Sequence, residues 1–298
     1  MTYLSTGPDG ETELPTPVRI RLDRDADVPA DAFEGVFPLP SGCGAMTELT
    51  IHGESGTVLF DGIIDEQETE PTGGTLSIFA RSRAALLLDN EAMPQNYINP
   101  SLRIIFERHI RPYGFTRCVG DTRGFSGALT VSKGMSEWAV AEAFCSRFLG
   151  TKPRITENGS FDASGAVPER EILFGKDGIR FCSCTRKDQY CDLYSEIYTR
   201  TPGSGAYTLA ARDAKAVSLG IVRRRFLSGG TNAGTALKKA GRSAFSVVLD
   251  CPGKIFVPLL SPARVSGLPG QETGLYVSSA HCRSGAGGEH TLITLRRE

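Results

Sequence analysis

The sequence predicts an α+β protein dominated by β structure, with two small antiparallel β-barrel domains joined by a helical α/β insert. Short segments of alternating apolar and polar residues, separated by glycine-rich turns, occupy both ends of the 298-residue chain. Between them, over residues 99–150, the apolar spacing changes to that of a helix. The length suffices for two or three domains, and 34 Gly and 17 Pro suit a fold with many turns.

The predicted organisation has four parts. They are an N-terminal arm over residues 1–16, a first β-barrel domain over 17–98, a helical insert domain over 99–165 and a second β-barrel domain over 166–298. The first 16 residues are polar and acidic, without the basic and apolar regions of a signal peptide, so we expect a loosely docked arm. No run of 18 apolar residues occurs, and we therefore expect no membrane span.

Alternating patterns predict the strands of the first barrel. They lie at residues 18–22, 32–40, 48–52, 57–66 and 75–80. A glycine inside the fourth of these segments, Gly62, predicts a bulge or a close approach of neighbouring backbones. Several short strands joined by tight turns are typical of a small barrel or roll.

Two amphipathic helices are predicted in the insert. The first begins near Ser101 and ends at Pro112 and Gly114, and the second runs from a cap at Ser136 to Gly150. Their apolar faces carry Leu102, Ile105, Phe106, His109 and Ile110 in the first helix and Val140, Ala141, Phe144, Cys145 and Phe148 in the second. We interpret His109 as a packed, hydrogen-bonded core residue, and we expect Trp138 to pack against the β layer.

Strand patterns return after the second predicted helix. An Asn-Gly turn joins predicted strands at residues 154–156 and 160–162. Further strands are predicted at 171–174, 179–182, 194–198, 206–209, 221–226, 245–249, 255–257 and 263–265, with a helix at 233–242 and a final hairpin formed by 274–282 and 290–295.

Charge is distributed unevenly along the chain. Residues 1–100 hold 17 Asp and Glu against 5 Arg and no Lys, a formal charge of −12, whereas residues 101–298 carry +11. Opposite potentials steer and register contacts, which predicts that an acidic domain docks on a basic one, within the chain or between subunits. The alternative is that two domains simply differ in surface charge. The residues predicted for such an interface are Asp61, Asp65, Glu66, Glu68, Glu70, Arg223, Arg224 and Arg225.

The sequence lacks the common short motifs for nucleotide binding, hydrolysis and metal binding. The chain has no Walker loop, Rossmann fingerprint, G-x-S-x-G elbow or H-E-x-x-H helix. Cys182-x-Cys184 followed by Cys191 lacks a fourth ligand at finger-like spacing, so we expect free thiols and neither metal nor cofactor. Apart from Arg223–Arg225 the basic residues are scattered, and no nucleic-acid recognition is expected.

Two residue pairs are candidates for catalytic groups. Cys145 and His109 lie on apolar helix faces, where burial disfavours a thiolate. Glu289 and His290 stand beside the final turn, where both fit ordinary turn and strand polarity. We therefore interpret both pairs as structural and predict that the chain is not an enzyme.

Four segments, taken in order, carry a family resemblance. They are RSRAALLLDNEA through PYGF at residues 81–115, KGMSEWAVAEAFCSRFLG followed by PRIT at 133–156, DCPGK at 250–254 and GLYVSSAHCRSGAGGEHTLITLRRE at 274–298. Over residues 15–298 the chain resembles baseplate hub proteins of contractile phage tails, in particular the Firmicutes prophage and tailocin-type hubs. These are related more distantly to the hub of Mu-like phages and to the late-control protein D family.

The resemblance implies a homotrimer in which each subunit supplies two similar barrels. Three subunits would then form a pseudo-sixfold ring that adapts a sixfold tail tube to a threefold spike. It also implies the tail tube protein, the spike protein, a LysM-type baseplate protein and the tape-measure protein as partners. The expected location is the tail baseplate of a virion or tailocin particle, assembled in the bacterial host cytoplasm. The alternatives are a hub with added peptidoglycan-hydrolase activity and a cytosolic β-rich ligand-binding protein.

Overall fold

Strands dominate the computed structural model, which describes residues 1–200, 203, 205–227, 232–267 and 274–297. Twenty-one strands and five α-helices lie in this part of the chain, as the predicted β-dominant α+β class requires. The chain folds as two compact units. The first unit is Met1–Pro168, Gly253–Leu259 and Ala280–Thr291, and the second is Glu169–Pro252, Leu260–Ser279 and Leu292–Glu298.

An antiparallel sheet opens the first unit. Its strands are β1 (Thr2–Gly7), β2 (Gly10–Leu14), β3 (Arg19–Asp25), β4 (Ala32–Pro38), β5 (Glu48–His52), β6 (Val58–Glu70) and β7 (Thr75–Ser82). They pair in the order β3-β4-β7-β6-β5-β1-β2. The five strands predicted for the first barrel are all present as β3 to β7.

The N-terminal residues differ from the predicted arm. They form a hairpin in which Tyr3 pairs with Leu14, and β1 continues the sheet by pairing Tyr3 with Ile51 of β5. Only three side chains of the hairpin, those of Tyr3, Ser5 and Leu14, are buried. A hairpin with so few apolar residues shows little alternation in its sequence. It is ordered instead by the pairing of β1 with β5, which its local sequence does not reveal.

The sheet of the first unit is rolled around one core. β1 and β4 are four strands apart in the ladder, which would separate them by about 19 Å in a flat sheet. The ring centroids of Tyr3 and Phe37 are nevertheless 5.5 Å apart. Among the described strands the ladder ends at β2, so side-chain packing rather than a continuous ladder completes the roll. The core holds Tyr3, Leu14, Ile20, Leu22, Phe33, Phe37, Leu49, Ile51, Phe60, Leu76, Ile78, Ala80 and Cys282.

Gly62 marks a close approach, one of the two outcomes predicted for it. It lies in β6 opposite Ser82 of β7, and a Cβ at this position would overlap the carbonyl oxygen of Arg81. The bulges of β6 lie elsewhere, one of them between Ile64 and Glu66. Glycine is therefore required here for steric reasons.

A second core in the first unit is helical. It contains α1 (Ala84–Asp89), α2 (Leu102–Ile105) and α3 (Glu137–Phe144), with short strands β8 (Gln95–Ile98), β9 (Cys118–Val119), β10 (Ala128–Val131), β11 (Arg154–Ile155) and β12 (Phe161–Asp162). A π-helical turn extends α2 over Phe106–Ile110, and another extends α3 over Cys145–Leu149. The residues predicted for the apolar face of the first helix are all at most 6% exposed.

The predicted helix ends are also present. Ser101 Oγ accepts a hydrogen bond from the Ile104 amide at 3.4 Å, and Ser136 caps α3 in the same way. Gly114 and Gly150 end the two helical segments with φ values of +93° and +68°. Trp138 packs edge-to-face on Phe161 of the adjacent short strand, at 6.3 Å between centroids, as predicted.

Asp162 is a buried carboxylate at the edge of the helical core. Burial acts to raise its pKa, but hydrogen bonds from the Ser164 hydroxyl and amide and from the Arg154 guanidinium outweigh that effect. The pKa of Asp162 consequently lies below its ordinary value. Its ionised form therefore stabilises this part of the first unit.

The two cores of the first unit are formed by consecutive chain segments, apart from Cys282. The barrel core uses residues 3–80, and the helical core uses residues 87–163. Separate cores support a division between a β domain and a helical insert. The domain bounds given above remain predictions.

The second unit has its own strands and helices. They are β13 (Ile172–Phe174), β14 (Ser183–Asp188), β15 (Glu196–Arg200), β16 (Tyr207–Arg212), β17 (Arg224–Leu227), β18 (Phe245–Pro252) and β19 (Pro262–Val265), with α4 (Ala214–Ser218) and α5 (Ala233–Ser243). The final hairpin is β20 (Leu275–Gly285) and β21 (Gly288–Arg297), and each of these strands contributes residues to both units. None of the helices in the described part of the chain is long and apolar enough to cross a membrane.

Two predicted strands are replaced by other structure. Residues 179–182 do not form the predicted strand, and the strand that follows begins at Ser183. The Ile179 amide instead donates a hydrogen bond to the Leu173 carbonyl oxygen at 2.8 Å. At residues 255–257 the Ile255 amide donates to Thr291 Oγ1 at 2.9 Å, so a side chain takes the place of a ladder partner. The sequence pattern shows that both segments contain apolar residues. It does not show which atoms accept the hydrogen bonds of their backbone amides.

Candidate docking surfaces

Two of the predicted acidic interface residues on β6 are engaged inside the first unit. Asp61 accepts from Arg83 Nε at 2.7 Å. Asp65 accepts two hydrogen bonds from Arg81, at 2.6 and 2.9 Å. A bidentate guanidinium–carboxylate pair fixes both side chains, so Asp65 is poorly suited to a second partner.

The other three predicted acidic residues are exposed at the end of β6. Glu66, Glu68 and Glu70 occupy alternate positions after the bulge, so they point to the outer side of the sheet about 7 Å apart. Within the described ranges no ion pair engages any of them. Three uncompensated carboxylates in a row make this strand end strongly negative.

These carboxylates border a groove on the outer face of β3, β4, β7 and β6, which we call the acidic groove. Its full lining is Arg19, Arg21, Glu34, Gly35, Val36, Glu66, Glu68, Ser77, Ile78 and Phe79. Glu66 stands beside Phe79 across the ladder, and Phe79 stands beside Glu34. Arg21 pairs with Asp23 at 2.7 Å and with Glu34 at 3.8 Å. The groove therefore combines an apolar floor with one wall of unpaired carboxylates on β6, and its β3 side carries Arg19 and Arg21.

The predicted basic residues lie on and beside β17, and their side chains have different surroundings. Arg223 Nη1 donates to the Tyr190 carbonyl oxygen at 2.9 Å. The guanidinium of Arg225 lies 5.7 Å from the centroid of the Tyr194 ring. Arg224 is exposed and makes no ion pair with any described residue. Of the three arginines, Arg224 is the one available to a partner.

β17 belongs to a three-stranded sheet, β16-β15-β17, with one covered face and one open face. α5 covers the first face, where Ile197, Leu227 and Ala233 form a small core. On the open face Phe226 is 53% exposed and Leu209 is 49% exposed. Such exposure of large apolar side chains is typical of a surface that binds another macromolecule.

The open face combines aromatic rings with arginines, and we call it the aromatic–arginine face. Its residues are Tyr198, Tyr207, Leu209, Arg212, Arg224 and Phe226. The ring of Phe226 stacks on Tyr198 at 5.2 Å between centroids and meets Tyr207 edge-on at 5.3 Å. The aromatic residues of this face are not among the residues predicted for the interface. Their signal is the alternation within Arg224-Arg225-Phe226, which places Arg224 and Phe226 on the same side of a strand.

A buried polar network occupies the helical core. His109, which is 2% exposed, bonds through Nδ1 to Glu137 at 2.5 Å and through Nε2 to the Tyr97 hydroxyl at 2.8 Å. Tyr113 donates to the other oxygen of Glu137 at 3.0 Å, and burial together with this hydrogen bond raises the pKa of Tyr113. Both ring nitrogens of His109 are thus used within the core, consistent with its predicted packing role.

In both pairs considered for catalysis, at least one residue is bound to other partners. Burial raises the pKa of the Cys145 thiol to about 12, and the ring nitrogens of His109 bond to other residues. Glu289 is bound by Lys254 at 2.7 Å, and the hydrogen bond from Lys254 lowers its pKa. The ring nitrogens of His109 are therefore not available as a base for the Cys145 thiol.

The cysteines considered as metal ligands are free thiols. Cys182 and Cys191 are exposed, and Cys184 is half-buried. Across the described ranges, no group of three or more His, Cys, Asp or Glu side chains is arranged to hold a metal ion.

Comparison with known proteins gives similarity in structure only. No family model matches the sequence, and no curated protein matches it. A tail protein from Neisseria meningitidis MC58 superposes with a TM-score of 0.73 at 16% identity, covering 100% of this chain and 96% of that one. The 43 kDa tail protein of prophage MuSo2 from Shewanella oneidensis gives 0.75 at 12% identity, covering 100% and 98%.

A third solved structure extends the range of bacterial hosts. Prophage tail protein gp18 from Listeria monocytogenes EGD-e superposes with a TM-score of 0.62 at 10% identity, covering 100% of this chain and 94% of that chain. In all three comparisons nearly the whole of both chains is matched, so the likeness includes the barrel, the helical insert and the second unit. The chain therefore has the fold of phage tail proteins.

Proposed function

We propose that the chain is a structural baseplate hub of a contractile phage tail or tailocin. Three copies form a pseudo-sixfold ring that adapts the sixfold tail tube to the threefold spike. The observation that carries the proposal is the match over the full length of tail proteins from Neisseria and Shewanella. Sequence identity to these proteins is low, so the match supports a role in a phage tail only through the shared fold. The more specific assignment as a hub rests also on the sequence resemblance.

The charge distribution supports assembly from identical subunits. The first 100 residues carry −12 and the remainder +11. A head-to-tail ring brings unlike surfaces of neighbouring copies together, so a subunit with one acidic and one basic surface suits it. Within the predicted set we propose Glu66, Glu68, Glu70 and Arg224 as the contact residues, because the others already have partners in the chain.

The partners follow from this role. The ring contacts the tail tube protein on one side and the spike protein on the other, with a LysM-type baseplate protein and the tape-measure protein as further neighbours. The chain acts in the tail baseplate of a virion or tailocin particle after assembly in the host cytoplasm. In this role it is a scaffold, and no catalytic step is assigned to it.

Electron microscopy of the purified full-length chain tests the proposed ring. We expect class averages with threefold symmetry and six similar lobes around a central opening. Compact particles the size of one 32.0 kDa subunit would contradict the proposal. A parallel incubation with purified cell walls tests the scaffold role, for which we expect no release of muropeptides.

A further inference from the structure

We propose that the aromatic–arginine face of one subunit docks into the acidic groove of a second copy of this chain. The inference rests on the proposed homo-oligomeric ring and names the two surfaces that would form its contacts. Both surfaces were defined above from exposed side chains. The charge pattern of the sequence predicts charged residues for this contact, whereas the aromatic residues at its centre are evident from the structure.

The aromatic–arginine face has the composition of a binding centre. Tyrosine, phenylalanine and arginine are enriched where proteins associate, and a few such residues carry most of the binding energy. Phe226 lies on the edge strand β17, where Tyr198 of the central strand stacks on its ring and Tyr207 of β16 meets the ring edge-on. These ring contacts hold Phe226 in one orientation, which reduces the entropy lost on binding.

The chemistry of the face favours an acidic protein surface. Glu196 of β15 pairs across the sheet with Arg212 of β16 on one side and Arg224 of β17 on the other. This row of three side chains therefore has two positive charges and one negative charge. Glu196 accepts a hydrogen bond from the Tyr198 hydroxyl at 3.0 Å and pairs with Arg212 at 3.8 Å, which leaves Arg224 as the unpaired cation of the row. An exposed aliphatic side chain, Leu209, favours a protein over a nucleic acid, whose bases stack on aromatic rings.

The acidic groove offers the complementary chemistry. Its floor includes Phe79 and Val36, and its wall carries Glu66 and Glu68 without cationic partners in the described part of the chain. An incoming Phe226 would cover the floor while the arginines beside it neutralise the carboxylates. Charge complementarity of this kind, on two surfaces of one sequence, favours a second copy as the occupant.

Sedimentation of the full-length chain over a concentration series provides the test. Phe226→Ala, Arg224→Glu and the double variant Glu66→Lys with Glu68→Lys should each weaken self-association by about tenfold or more. Combining Arg224→Glu with the two lysine substitutions should restore association by about tenfold relative to either parent, because the charges are exchanged across the interface. Circular dichroism establishes that each variant is folded.

Matched controls separate this contact from a general effect of charge. Arg242→Glu on α5 and Glu54→Lys in the turn before β6 change exposed charges of the same units away from both surfaces. They should leave association unchanged. If the wild-type chain assembles and the surface variants assemble equally well, this inference is wrong while the ring proposal stands. A wild-type chain that stays monomeric overturns both.

Discussion

Replacing Arg24 with methionine tests how the first unit is held together. Arg24 lies on β3 and is 8% exposed. Its guanidinium donates to Asp31 at 3.4 Å, to the Val257 carbonyl oxygen at 3.2 Å and to Glu157 at 2.5 Å. One side chain therefore joins the barrel, the helical insert and the returning segment Gly253–Leu259.

The magnitude follows from these contacts. Breaking a buried ion pair costs about 3–5 kcal/mol when the remaining charge stays buried. The side chains of Glu157 and Asp31 are 49% and 27% exposed, so they regain water once the arginine is removed. Methionine keeps the packing of the aliphatic stem. We therefore expect the free energy of unfolding to fall by about 2–4 kcal/mol.

Urea denaturation followed by tryptophan fluorescence measures this loss. The only tryptophan, Trp138, is 4% exposed and lies in the first unit. Arg21→Met is the matched control, because Arg21 is on the same strand but pairs with Asp23 at the surface, where such pairs contribute up to about 1 kcal/mol. Equal losses for Arg24→Met and Arg21→Met would contradict the proposed role of the buried Arg24 contacts.

Three further predictions concern other parts of the chain. Gly62→Ala should lower the free energy of unfolding by about 1–3 kcal/mol in urea denaturation, because the new methyl group overlaps the backbone of β7, whereas Gly124→Ala meets open space and should have little effect. Exposed Cys182 should react with a thiol reagent at pH 8 at least about a hundredfold faster than buried Cys145, whose pKa is raised to about 12, and equal rates would contradict the core packing. The pKa of Asp162 is lowered in the folded chain, so its carboxylate stabilises the fold above the ordinary pKa of about 4 and this stabilisation is lost as the pH falls. The difference in free energy of unfolding between the wild-type chain and Asp162→Asn should therefore shrink from pH 7 to pH 3. A difference that stays constant over this range would contradict the prediction.

Elements with a strong local pattern could be predicted from the sequence. The helix after Ser101 has a capping side chain, an apolar face and a terminating glycine, and each of these acts within a few residues. The strands from β3 to β7 show clear alternation because one face is buried. The β1–β2 hairpin lacks such a pattern, since its order depends on pairing with β5, about 45 residues later in the chain.

The docking surfaces were only partly predictable for the same reason. A sequence shows that Asp61 and Asp65 are charged but not that Arg83 and Arg81 bind them from the neighbouring strand and turn. The exposure of Phe226 likewise depends on which face of the three-stranded sheet α5 covers. Charge composition therefore identified the acidic and basic regions, while the tertiary contacts decide which residues are free.

Native mass spectrometry of the full-length chain tests the central proposal most directly. We predict an assembly of three 32.0 kDa subunits, about 96 kDa, that dissociates as the salt concentration rises because unlike charges form the contact. A single species at the mass of one subunit, at concentrations of tens of micromolar and low salt, would contradict it.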